Sequence, residues 1–316
     1  MSSVEFLIGV ALLFLGGLIG AIMWNWRRSA AARSEFSQYP QLVRLDRVTL
    51  ALRYVGVCLG LVCIPVGSVF VHDGQFYDLI PAVMGSLVVI CSTVGELVMF
   101  DKARQVGVAS LEPRRVGAWL PARLLVLAGI ALAVFVCLLV GAWSVADPTG
   151  WSFSLNAFYQ GKTLCSMAVW PFFGLSYSVP LLLATGIFLV LSGIGGWVVV
   201  RRPRNGADPV LAEWDDALRR RSLRGLTATV CGVLSADVLM VAWSTADGLG
   251  LVRQIRQCDG VPASGVVIDK NLLWYSWPGW EVVMWVVVAA SFIGCIAAAA
   301  IVLGSATPTR SAKEMR

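Results

Sequence analysis

Charge is scarce in this 316-residue chain. Charged residues make up 14% of it and hydrophobic residues 58%, against about 25% charged in an ordinary soluble domain. That balance is expected of an integral membrane protein. Histidine is nearly absent. The one histidine, His72, sits in the loop "HDGQFYD", which excludes bis-histidine haem ligation and any multi-histidine metal site within the chain. His72, Asp73 and Asp78 read more simply as a solvated polar turn than as a cation site. No lysine lies within an apolar run, so a retinal-type Schiff base is excluded. There is no GxxxxGK[ST] loop to cradle a nucleotide phosphate, and no GxSG motif with a membrane histidine for an intramembrane serine protease. No catalytic residues, metal or cofactor are expected.

What is abundant is apolar length. Seven runs are long enough to cross about 30 Å of hydrocarbon as helices: Phe6 to Trp24, Leu52 to Val71, Leu79 to Phe100, Leu120 to Ala146, Tyr177 to Val200, Leu226 to Ala246 and Val282 to Leu303. No stretch between them exceeds about 35 residues, too few to bury an independent core. The expectation is a single all-α transmembrane domain over 1-316, with the lipid bilayer as its principal partner.

The excess of basic residues, formally +6, marks topology rather than a nucleic-acid partner. Of the 25 Lys and Arg residues, 21 fall in alternate segments: six from Arg27 to Arg53, five from Lys102 to Arg123, seven from Arg201 to Arg224 and three in the tail. By the positive-inside rule the N-terminus lies outside and the C-terminus inside. The first run has only Glu5 before it and Arg27-Arg28 after it, which fits a span and not a cleaved signal peptide. Trp24, Trp26 and Trp119 mark the inner boundary. Trp143, Trp243 and "WYSWPGW" at 274 to 280 mark the outer one.

Short echoes suggest a repeat. "AWSVADPTG" at 142 to 150 returns as "AWSTADGLG" at 242 to 250, and "STVG", "SGIG" and "SFIG" recur at 92, 192 and 291. They are consistent with three related helical hairpins after the first span. Gly16 with Gly20, and Gly56 with Gly60, have the four-residue spacing that lets helix backbones approach closely within one chain. "MAVWPFFGL" at 167 to 175 is too short and proline-broken to span, and is expected to lie in the outer interface or to cap the bundle. On the inner side, "DPVLAEWDDALRRR" (208-221) reads as a short amphipathic helix, with Asp208 at the N-cap and Pro209 at its first turn. Its face of Leu211, Trp214 and Leu218, with Arg219 and Arg220, is a candidate docking surface for a protein partner or for lipid.

Two carboxylates stand inside apolar runs. An ionisable group at the bilayer centre costs about 3 kcal/mol on insertion scales and marks a functional candidate. Asp237 lies roughly 16 Å above the inner boundary, near the midplane. Without a basic residue at its depth, it is neutral and hydrogen-bonded, or faces a wet cavity or a cation. Ser92, Ser192 and Ser235 lie at similar depth and form with it a candidate polar layer. Glu96 is roughly 6 Å deep, where Arg53 and Arg123 are its expected ion-pair partners. Of the eight cysteines, only Cys165 and Cys258 lie outside the spans, one in each long external loop, where a disulfide between them is expected.

The "DDALRRRSLRG" segment leading into the sixth span, and the seven-span layout, resemble uncharacterised multi-pass membrane proteins of high-GC Gram-positive bacteria. The composition agrees, with Arg outnumbering Lys 21 to 4. That resemblance implies a bacterial cell membrane and brings no activity with it. The leading expectation is a non-catalytic subunit or accessory component of a membrane assembly. The alternatives are a small-solute or ion transporter using Asp237, and a membrane enzyme acting on a lipid-linked substrate through dispersed outer residues such as Asp147, Lys162 and Asp259.

Overall fold

A computed structural model describes residues 48–49, 51–62, 75–105, 120–147, 150, 152–159, 162–169, 172–202, 209–255, 267–268 and 279–304. These form six helices and three short strands: α1 (Ala51–Val62), α2 (Gln75–Gln105), α3 (Ala122–Val145), β1 (Phe153–Tyr159), β2 (Lys162–Val169), α4 (Leu175–Arg201), α5 (Pro209–Ile255), β3 (Val267–Ile268) and α6 (Gly279–Gly304). Five of the helices, α2 to α6, are long and apolar enough to cross a membrane. The first expected span, Phe6 to Trp24, and the end of the second lie outside the described residues.

The bundle turns its apolar side chains outward as well as inward. On α4, Leu183, Ile187, Val190, Ile194 and Trp197 recur every three or four residues and are each more than half exposed. On α6, Val282, Val286 and Ile293 are exposed to a similar degree. Such stripes would be an aggregation hazard in water, whereas lipid tails solvate them without cost. The chain is built as a membrane protein.

The long helix α5 organises the rest. At 47 residues and about 1.5 Å per residue it is about 70 Å long, more than twice the hydrocarbon thickness of about 30 Å. It packs against α2, α3, α4 and α6. The separate helix expected over 208-221 is the first part of α5, which runs unbroken into the sixth span. The expectation failed there because hydropathy changes sign near Leu226 while helix propensity does not. "LAEWDDALRRRSL" is rich in Ala, Leu, Glu and Arg, all good helix formers. The weakest position here is Gly225, where an added Cβ would sit 2.8 Å from the Arg53 guanidinium. Gly225 keeps room for a side chain from α1.

Close approach explains other glycines. At Gly56 an added Cβ would lie 2.8 Å from the Val88 Cα, and at Gly60 2.8 Å from the Met84 side chain. The four-residue glycine spacing of the second span therefore packs α1 onto α2 within the chain.

The helices agree with the expected helical bundle, and beyond them the structure adds a small antiparallel sheet of order β2-β1-β3 that was not expected. β1 and β2 pair antiparallel from Phe153 opposite Val169 to Tyr159 opposite Lys162. Asp147 opens this region. Its carboxylate accepts from Ser152 Oγ (2.6 Å) and Ser154 Oγ (2.7 Å), and the chain turns at Gly150 with φ of 70°, a conformation that suits glycine. After β2, Phe172 and Phe173 are buried with Phe135, Leu139, Tyr177 and Val241, and Phe172 stacks on Phe153 at 5.2 Å. Phe172 and Phe173 of the expected cap segment thus pack into the core beside the sheet.

Gly56→Ala should lower stability by about 1–3 kcal/mol, the usual cost of overpacking, because backbone lies in its path. Gly129→Ala on α3, where nothing lies within 4 Å of an added Cβ, should leave stability unchanged or slightly higher. Thermal unfolding of both variants in the same detergent checks the contrast.

Candidate functional site

Two polar clusters lie inside the bundle. The larger is at the end opposite the sheet, which we term the basic end. There the α2 carboxylate Glu96 accepts from Arg202 Nη1 at 2.9 Å, and both side chains are only 3% exposed. Its other oxygen accepts from Ser222 Oγ on α5. Arg202 follows directly on α4 and uses Nη2 to reach Asp215 on α5. Asp215 also accepts from Arg219 Nη2 at 2.7 Å and Nε at 2.9 Å. Arg219 in turn donates to the Arg202 carbonyl at 2.7 Å and the Val200 carbonyl at 3.2 Å. It thereby satisfies carbonyls at the C-terminus of α4, which the helix itself leaves without partners.

This arrangement joins α2, α4 and α5 through alternating charges. Burying one ion is costly, and the cost is offset only when every ion has a close counter-charge and its remaining hydrogen-bonding capacity is met. Glu96, Arg202, Asp215 and Arg219 meet that condition together. Arg53 is buried beside them, lining a narrow pocket with Ser92, Thr93, Glu96, Ser222 and Thr229. The pocket has room for about one water molecule, which is too little for an organic substrate.

Of the residues expected around Glu96, Arg53 lies beside it in the adjoining pocket and Arg123 is exposed at the start of α3. The pair with Arg202, which follows directly on α4, adds a partner that was not expected. The docking face is corrected: Leu218 is 7% and Arg219 1% exposed, so both face the chain's own interior. Arg220 is exposed, and the side chains of Leu211 and Trp214 lie outside the described residues.

The second cluster is small. Asp237 on α5 is fully buried, and its Oδ2 accepts from Thr185 Oγ1 of α4 at 2.9 Å, while Oδ1 has no hydrogen-bond partner. Leu181, Phe188, Leu234, Val238 and Val241 are buried along the same two helices. The expected serine layer is dispersed. Ser192 donates within α4 to the Phe188 carbonyl at 2.8 Å, and Ser92 lines the pocket beside Glu96. Ser235 sits against Gly294 of α6, where an added Cβ would lie 2.7 Å from its Oγ. Two residues from Asp237 on one helix, Ser235 points elsewhere.

Thr185 was missed although its signal was present. Counted from the outer ends, it lies eight residues past Tyr177 and Asp237 nine residues before Ala246, a depth difference of about 1.5 Å. Measured from the inner ends, the unequal lengths of the two helices hide this match.

Cys165 lies in β2 opposite Ala157. Its expected partner Cys258 lies outside the described residues, as do His72 and Asp73. Among the described residues there is no group of three His, Cys, Asp or Glu placed to hold a metal ion.

No family model matches this chain, and no curated protein or solved structure shows significant similarity to it. The ion network carries its own prediction. Glu96→Ala leaves Arg202 buried without one counter-charge and should cost about 3–5 kcal/mol. Replacing both partners by apolar residues, Glu96→Leu with Arg202→Met, should cost less than the sum of the single changes. A double-mutant cycle on thermal stability measures the difference.

Proposed function

We propose that this chain is a non-catalytic, multi-pass protein of a bacterial cell membrane that serves as a subunit or accessory component of a larger membrane assembly. In this reading it crosses seven times, with its N-terminus outside and its C-terminus inside. The observation that carries it is the network of Glu96, Arg202, Asp215 and Arg219, which pairs charges at the basic end with one another. Charges so engaged brace helices. They are not free to bind or activate a substrate, and the pocket beside them is narrow. The brace also holds the part of α5 that precedes its apolar run, which lengthens the helix beyond what a membrane crossing needs. Exposed Arg220 and Arg224 on that part offer charge to a partner.

A transporter is the second reading, favoured by one observation: the buried Oδ1 of Asp237 without a hydrogen-bond partner. Intact-complex mass spectrometry on protein released from its own membranes with lipid retained separates the two. The assembly reading expects a different polypeptide at fixed stoichiometry. Recovery of the chain alone, or only with copies of itself, would sink that reading and move the transporter ahead.

A further inference from the structure

The unpartnered oxygen of Asp237 asks what occupies it. A metal cation in an oxygen site takes six or more ligands for calcium and a near-ideal octahedron for magnesium. Here the nearest hydroxyl, Thr185 Oγ1, is already donating its hydrogen to Oδ2. Among the described residues no group of three His, Cys, Asp or Glu is placed to complete a cation site. An ionised carboxylate is an acceptor with about four lone-pair positions, and a single hydroxyl donor in a fully buried site leaves most of them unmet. A carboxylic acid fits the same geometry better. Its carbonyl oxygen accepts one hydrogen bond and its other oxygen carries hydrogen, as Oδ2 and Oδ1 respectively would.

We propose that Asp237 and Thr185 form an intramembrane proton-binding site, with the proton on Oδ1 and the Thr185 hydroxyl fixing the carboxyl orientation through Oδ2. Loading is the addition of one proton from water to the carboxylate, and unloading is its return, with no other bond changed. The inference concerns the occupant of Asp237 and holds whether the chain works alone or in an assembly.

The surroundings favour this occupant. Among the described side chains, the charged ones of the helices packed around α5 lie away from mid-helix: Asp78 and Glu96 on α2, Arg123 on α3, Arg201 on α4 and Glu281 on α6. Cys231 of α5 and Cys295 of α6 are the thiols described on these two helices. Cys295 itself lies 3.7 Å from the Gly232 carbonyl, to which it donates, and Cys231 is turned to α3, donating to the Leu124 carbonyl at 3.2 Å. A loaded Asp237 is uncharged between α4 and α5. An unloaded one places a bare charge on the helix that joins both ends of the protein.

Infrared difference spectroscopy on the full chain, labelled with carboxyl-13C aspartate and reconstituted in lipid bilayers, tests the site. At neutral pH the wild type should show a protonated-carboxyl C=O band that is lost in Asp237→Asn. Thr185→Val should retain the band and shift it to higher frequency, because one hydrogen bond to the carbonyl is gone. If Asp237→Asn does not fold, the Thr185→Val shift alone assigns the band. Absence of any such band at neutral pH would overturn the proposal. So would a band abolished by adding sodium or magnesium at constant pH, which would make Asp237 a cation site.

Discussion

Arg202 is held between Glu96 and Asp215, and the basic end of the protein depends on that placement. A guanidinium 3% exposed is tolerable only where counter-charges meet it from both sides. Those two carboxylates come from α2 and α5, so the charge requirement dictates which helices adjoin the end of α4. Arg219 closes the arrangement by binding Asp215 and the last carbonyls of α4 with one planar fork. Arginine suits this role because its donors diverge in a fixed plane, whereas a lysine would present a single point charge.

From that clasp α5 runs past the whole bundle. At its basic end it is locked by ions, at mid-length it carries Asp237 against Thr185, and nearer the sheet end Val241 and Leu249 join the cluster that includes Phe153 and Phe172. The three regions differ in chemistry but share one rigid element. A change of charge at Asp237 therefore acts on a helix already fixed at its basic end, and α4, which supplies both Thr185 and the backbone that Arg219 caps, is the natural element to respond.

Much of this was legible in the sequence, and the reasons for the rest are specific. The positions of the five long apolar helices followed from hydropathy because lipid imposes a length and a polarity that few soluble helices share. Glu96 and Asp237 stood out for the same reason, as charges where charge is costly. Their partners were not legible, since Arg202 and Thr185 come from α4, remote in sequence, and its azimuth is set by packing. Continuity of α5 was hidden because polarity marks the membrane boundary and not the end of a helix. The hairpin of β1 and β2 was not legible because the alternation in "FSLNAFY" is short and stands beside the stronger apolar signal of "WPFF".

The central claim is that α5 is one helix clasped at its basic end. Hydrogen exchange followed by mass spectrometry on the reconstituted protein measures it directly, peptide by peptide along 209 to 255. The account predicts that backbone amides from about 215 to 225 exchange slowly, with protection continuous into the apolar run that holds Asp237. Fast exchange there, with protection beginning only near Leu226, would mean that the helix ends at the membrane boundary and that the ionic clasp does not exist.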